Sequence, residues 1–395
     1  GGAISVTGDA TASGTISAGG DITFGANAII NEVTSSNGAI SVGGTTSANG
    51  NITSAKSQTF NGAFTLNNSV TILAKENTVL FKGTVNGTHA LTIGNNANTT
   101  NVTFEKSVGS VNKLASLDVK GNATANEAIF TTGDIAVGGV ANVTEVTSSG
   151  GAISVTGDAT ASGTISASGN ITFGANAIIN EVTSTNGAIS VTGTTSANGN
   201  ITSAQSQTFN GAFTLNKTVT ILAKNNTVLF KGTVNGTYDL AIGNETVKTS
   251  ADFHFSVGSS VPLGNITLND ASFSENASLI QTESSSLNVN GGVKFGKAQL
   301  QLGKLIISAG GNFTQTGVNT DSQSVCLIEN NGRVIWDSTS LGGSVTLKGD
   351  VTGSNAPQVV FNKKNVIIGK DLNIAGVFYF LVIAPNINVT NASGL

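Results

Sequence analysis

Apolar and polar residues alternate along this chain in a cadence of six. Counted in sixes from Ile4, the first positions are Ile4, Ala10, Ile16, Ile22, Ala28, Thr34, Ile40, Thr46, Ile52, Gln58, Phe64 and Val70, and most are apolar. The second position is Ser or Thr in every one of these hexads except at Ile29. The third is again mostly apolar, as at Val6, Phe24, Val42, Phe60, Leu66 and Ile72, and the fifth is Gly at 8, 14, 20, 38, 44, 50 and 62. In-out-in over three residues is a very short strand, with the hydroxyl side chain between two inward ones. The other three residues turn a corner, for which Gly is suited because it takes φ > 0 without a Cβ clash.

A six-residue unit is too short to hold a hairpin, but it can form one side of a coil. Three sides make a turn of about 18–20 residues, and stacked turns set Ile4 over Ile22 over Ile40, and Val6 over Phe24 over Val42 over Phe60. Backbone N–H and C=O groups then pair from turn to turn. The expected fold is all-β: a single-stranded parallel β-helix, or β-solenoid, with triangular turns. About twenty such turns at ~4.8 Å each would extend on the order of 100 Å.

Larger repeats lie above the hexad. Residues 1–95 and 150–244 align without a gap, and EVTSSNGAISV at 32–42 returns at 145–155 and 181–191 with small changes. The six-step changes phase at Val79-Leu80-Phe81 and again at Val228-Leu229-Phe230, which places a corner insertion near Ala74-Lys75-Glu76-Asn77. Residues 1–255 read as the regular, duplicated solenoid and 256–395 as its divergent continuation, with strand-like pieces such as 265–268, 286–289, 304–307, 344–347, 366–368 and 386–389. A solenoid turn contacts only its neighbours, so blocks can be duplicated without redesigning a core.

Composition supports a folded β chain. Fifty Gly and three Pro, no Met, 38% hydrophobic residues and a net charge of −4 describe strands and tight turns. Disordered segments combine low hydrophobicity with high net charge, which this chain does not. No basic stripe suits nucleic acid. No apolar run approaches the ~20 residues of a membrane-spanning helix, and 377–384 reads as a buried strand. The sequence opens without an initiator Met or a signal peptide, so the expectation is a processed chain or an excerpt of a longer one.

The phrases Gly20-Asp21-Ile22-Thr23-Phe24, Gln58-Thr59-Phe60-Asn61-Gly62-Ala63-Phe64-Thr65-Leu66, Val79-Leu80-Phe81-Lys82-Gly83-Thr84-Val85-Asn86-Gly87, Asn101-Val102-Thr103-Phe104 and Leu114-Ala115-Ser116-Leu117-Asp118-Val119 resemble the filamentous-haemagglutinin-like and β-strand-repeat surface proteins of Gram-negative bacteria, large autotransporter passengers included. The likeness covers most of 1–255. It implies a right-handed β-helix, an extracellular or cell-surface location and adhesive work. Partners would be host-cell or neighbouring-cell surface molecules or glycans, or other copies of the chain in a fibre or layer.

Candidate chemistry is sparse. His89 aligns with Tyr238, and His254 with Glu105; neither has a second His or a Cys near it in sequence, so both read as surface residues. The lone Cys326, in Val325-Cys326-Leu327-Ile328, reads as a small buried apolar residue and permits no intrachain disulfide. A polysaccharide-degrading enzyme would need clustered carboxylates. The densest charged stretch is Asp321, Glu329, Arg333 and Asp337 with Lys348, Asp350 and Trp336, so an active site would be sought at 321–350. Isolated Glu32, Glu145, Glu181, Asp9 and Asp158 do not form the several-Asp turns of calcium-binding repeats. Ser and Thr fall on all three sides, whereas ice-binding solenoids concentrate Thr on one. Asn-x-Ser/Thr triplets at Asn51, Asn86, Asn122, Asn200, Asn235 and Asn265 read as mostly chance in Asn/Thr-rich text, and surface glycosylation would show in the intact mass. The expectation is a non-enzymatic bacterial surface protein, adhesin or fibre component, without cofactor, metal or catalytic residue. The polysaccharide-degrading enzyme and the ice-binding solenoid stand as alternatives.

Overall fold

The computed structural model describes residues 1–281 and 285–295 with their side chains, and beyond them the backbone of strands from Leu300–Gln301 to Asn386–Ser393. Every regular element among the described residues is a strand and none is a helix. The chain forms two compact units, Gly1–Thr192 and Gly193–Leu395. Each is a parallel β-solenoid.

In the first unit, Ile4–Val6, Ala10–Thr11 and Thr15–Ala18 are the three sides of one turn. The next strand, Ile22–Phe24, stacks on the first in parallel, pairing Ile4 with Ile22, Ser5 with Thr23 and Val6 with Phe24. Ile40–Val42 and Gln58–Phe60 continue this first face in the same register. The second face stacks Ala10 on Ala28 and Ala28 on Thr46. The third stacks Ile16 on Val33 and Val33 on Ile52. Inward columns are half-buried in the first turn, at Ile4, Val6, Ala10 and Ile16, and buried from the second turn on, and most of the Ser and Thr between them face out. Corner donors are met from turn to turn: Ile4 N–H donates to the Asp21 carbonyl at 2.8 Å, and Ile22 N–H to that of Ala39 at 2.9 Å.

The second unit repeats the plan. Thr195–Ala197 and Phe213–Leu215 share one face, Ile201–Ser203 and Val219–Ala223 another, Gln207–Phe209 and Thr227–Phe230 the third. Parallel pairing continues through strands such as Lys304–Ile307, Val345–Gly349 and Asn386–Ser393.

Aromatic residues concentrate on facing columns. Phe60, Phe81 and Phe104 stack at centroid separations of 5.2 Å, and Phe64 sets its edge on Phe60 at 4.8 Å and on Phe81 at 5.1 Å. In the second unit Phe209, Phe230, Phe253 and Phe273 stack at 5.4, 5.0 and 4.6 Å. Offset stacks and edge contacts are the favoured arrangements of aromatic pairs.

Three details differ from the sequence reading. The hexad count puts Thr34 and Ser36 inward, but Val33 and Ser35 are the buried pair, and in the second copy Val182 and Ser184. One turn therefore takes 17 residues, Thr15 to Glu32, and the next 19, Val33 to Ile52. A one-residue slip flips every side chain of a strand, and Val gains more from burial than Thr.

Turn length also ranges more widely than 18–20. The insertion after Ala74 is where the phase change places it: Asn77 N–H donates to the Ala74 carbonyl at 2.8 Å and Glu76 has φ 57°. Leu91 pairs with Leu117, a turn of 26 residues. Finally, most corner glycines are not there for φ. Gly38, Gly62 and Gly83 keep ordinary φ, but a Cβ on Gly83 would lie 2.3 Å from the Gly62 carbonyl carbon. Close approach of stacked corners requires glycine there, whereas Gly87 and Gly109, at φ 139° and 70°, do need its conformational freedom.

Candidate binding surfaces

The corners carry one recurring device. A residue just before a strand is Asp or Asn, and its Oδ1 accepts the N–H of the equivalent corner one turn on. Asp21 accepts from Ala39 at 2.8 Å, Asn27 from Thr45 at 2.9 Å, Asp134 from Ala152 at 2.8 Å and Asn170 from Ala188 at 2.9 Å. Asp9 and Asp158 do the same for Asn27 and Asn176, at 3.1 and 3.0 Å. These side-chain oxygens thus close corner N–H groups that have no strand partner.

The same device accounts for four of the six Asn-x-Thr triplets named from the sequence. Asn51, Asn122, Asn200 and Asn265 accept the N–H groups of Thr71, Val140, Thr220 and Ser286 at 2.8–2.9 Å. Asn86 and Asn235 each hold two successive N–H groups, of Val111 and Asn112 and of Ser260 and Val261. In the four before strands, a corner Asn, an inward apolar residue and an outward Thr spell the triplet. Sequence reasoning missed this, although the recurrence of Asn or Asp one residue before many of the inward Ile and Ala residues was the available signal.

The outward middles of the strands form single columns. On the first face of the first unit Ser5, Thr23, Ser41 and Thr59 lie in register, followed by Leu80, Thr103, Thr124, Asn142 and Thr160. Two loops interrupt the pattern at equivalent places. Val108 and Leu114 are buried at the ends of one, with Val111 79% exposed between them; Val257 and Leu263 anchor the other. Nearby in the second unit Phe255 and Tyr238 are 56% and 44% exposed.

Among the described residues, charged groups come together in few places. Lys106 Nζ lies 3.0 Å from Glu127, whose carboxyl is held below its ordinary range by that bond and by the N–H of Ser107 at 3.1 Å. Lys120 pairs with Asp118 at 2.7 Å. In the second unit His254 Nε2 is 3.2 Å from Asp252 Oδ2, and Ser272 Oγ donates to Asp252 Oδ1 at 2.9 Å. The imidazole and the hydroxyl thus sit on opposite oxygens of one carboxylate. Activation of a serine needs the imidazole on the hydroxyl itself, so these three do not form a nucleophilic triad.

The other sequence candidates are dispersed. His89 is half-buried, Glu32 and Glu181 are exposed on third- and second-face strands, and Glu145 is half-buried at a corner. Among the described residues no three His, Cys, Asp or Glu side chains group as metal ligands, and no helix is long and apolar enough to cross a membrane. Arg333–Trp336 is a strand between Asn312–Gln315 and Gln358–Phe361, and Ser324–Ile328 is a strand that contains Cys326. The side chains of Arg333, Trp336, Cys326 and Lys348, and the residues Asp321, Glu329, Asp337 and Asp350, lie outside the described residues.

No family model, curated protein or solved structure matches the chain.

Proposed function

We propose that the chain is a non-enzymatic part of an extended bacterial cell-surface protein, with adhesion as its work and the cell exterior as its place. The observation that carries this reading is one frame written twice, with outward columns rich in Ser, Thr and Asn over the duplicated blocks. The buried columns and corner Asp/Asn bonds recur from 1–95 to 150–244, while the outward columns repeat Ser, Thr and Asn. Stacked turns gain length by duplication at no cost in core redesign. Outward hydroxyls then repeat every ~4.8 Å, a spacing that offers a partner many weak contacts in series. The likeness in wording to the filamentous-haemagglutinin-like surface proteins supports the same reading.

Purified chain should stay monomeric in sedimentation and bind host or neighbouring bacterial cells saturably, with binding reduced when cell glycans are removed. Assembly into fibres or layers without cell binding would favour the structural version. Turnover of a polysaccharide that falls on substitution of Asp321, Glu329, Arg333 or Asp337 would replace the reading with an enzyme, and inhibition of ice growth would replace it with an ice-binding solenoid.

A further inference from the structure

The two copies of the solenoid differ most tellingly on one outward column. In the first unit the column after Leu80 runs Thr103, Thr124, Asn142, all uncharged. Its counterpart in the second unit runs Leu229, Asp252, Ser272, Lys294. The residues behind these columns remain apolar: Val102 and Phe104 in the first, Ala251 and Phe253 in the second. Packing therefore does not call for the new charges. They face a shallow groove of about 390 Å³ lined by Thr227, Ser250, Asp252, Asp270, Ser272 and Lys294, within the size range of small-molecule sites.

We infer that this groove on the second unit binds a neutral saccharide; the inference rests on the adhesive reading and gives it a site. The groove offers both halves of a sugar's hydrogen-bonding needs. Asp252 and Asp270 accept, while Lys294, Ser250 and Thr227 donate. Asp252 is fixed by Ser272 Oγ at 2.9 Å and by His254 at 3.2 Å. Asp270 gives one oxygen to the N–H of Gly292 at 2.6 Å, and its other oxygen accepts from no described residue. Lys294 joins no ion pair among the described residues. Vicinal hydroxyls can donate to the carboxylates and accept from the ammonium, bonds that are stronger for being charge-assisted.

Charge selects within the sugars. Two carboxylates against one ammonium leave the groove anionic, so sulfated or sialylated glycans are repelled. An added peptide strand is disfavoured as well, because the backbone of this face is already paired between turns and presents no open edge. Next to His254, Phe255 is 56% exposed at the corner where the first unit has Lys106. Phe255 does not line the groove itself, so the recognition rests on the groove's polar groups.

The test uses the intact chain and an immobilised panel of neutral, sialylated and sulfated oligosaccharides, followed by titration of the tightest neutral binder. The triple variant Asp252→Thr, Ser272→Thr, Lys294→Asn restores the column that the first unit already folds with. Asp270→Asn keeps the oxygen that accepts from Gly292 while removing the charge. With thermal unfolding unchanged, each is expected to weaken neutral-saccharide binding at least tenfold. Unchanged affinity in both variants would overturn the groove as the site and leave the adhesive reading standing. Preference for sulfated or sialylated glycans would overturn the ligand class. A wild-type chain that binds no saccharide and no cell would overturn the inference together with the reading beneath it.

Discussion

The stretch from Gln58 to Asn142 and its counterpart from Gln207 to Lys294 are alike inside and unlike outside. Both carry a phenylalanine stack, a buried Gln whose Nε2 donates to a carbonyl on another face of the coil, and the same looped corners. Gln58 reaches Leu73 at 2.9 Å and Gln207 reaches Leu222 at 2.8 Å. Outside, Thr103, Thr124 and Asn142 give way to Asp252, Ser272 and Lys294, and Lys106 gives way to Phe255. The difference teaches that the interior columns and corner bonds specify the frame, and the frame tolerates new chemistry on its outward residues.

The comparison can be broken first at the stack. Phe81→Ala and Phe230→Ala each remove the ring between two stacked partners. Each is expected to cost about 3–5 kcal/mol, near the upper range for a core aromatic. Denaturant melts of the two variants should show losses within about 1 kcal/mol of each other, given ordinary non-additivity. A large loss at one site only would mean that the interiors are not equivalent. Next come the corners. Gly83→Ala and Gly232→Ala drive a Cβ to 2.3 Å from the Gly62 carbonyl carbon and from the Gly211 carbonyl oxygen. Backbone cannot swing aside as a side chain can, so a cost of about 1–3 kcal/mol is expected. A third pair, Asn51→Ala and Asn200→Ala, strands the N–H groups of Thr71 and Thr220, at about 1 kcal/mol each. The readout is again the unfolding midpoint, and no change would mean that water serves these donors equally well.

The smallest effect sharpens the contrast outside. Glu127 binds Lys106, and the second unit has Phe255 where the first has that lysine. The folded pKa of Glu127 lies below its unfolded value. Its contribution is therefore present above the unfolded pKa and is lost as pH falls through the folded one. Glu127→Gln should lower the melting temperature slightly at pH 7 and leave it unchanged once both states are protonated in strong acid. High salt should shrink the difference at pH 7, because the pair is exposed.

Much of the frame was legible because burial imposes period two on each short strand. The columns Ile4–Ile22–Ile40 and Val6–Phe24–Val42–Phe60, and the insertion after Ala74, could be read directly. The slip at Val33 was not, because a fixed step of six ignores the choice between Val33 and Thr34 for the interior. The corner Asp and Asn residues looked like scattered polar text, since their partners lie 18 to 26 residues away. The groove was harder still. Asp252, Asp270 and Lys294 are widely separated in sequence, and only the register of the third face in the second unit brings them together.

All of this depends on one strand per face per turn, which spin-label distances within the first unit test most directly. In a Cys326→Ser background, labels at Ser5 paired in turn with Thr59, Thr103 and Thr160 sit three, five and eight turns apart on one column. Narrow separations that climb through about 14, 24 and 38 Å, before label length, are expected. Separations that fail to climb with turn number would contradict the stacked coil and every inference built on its columns.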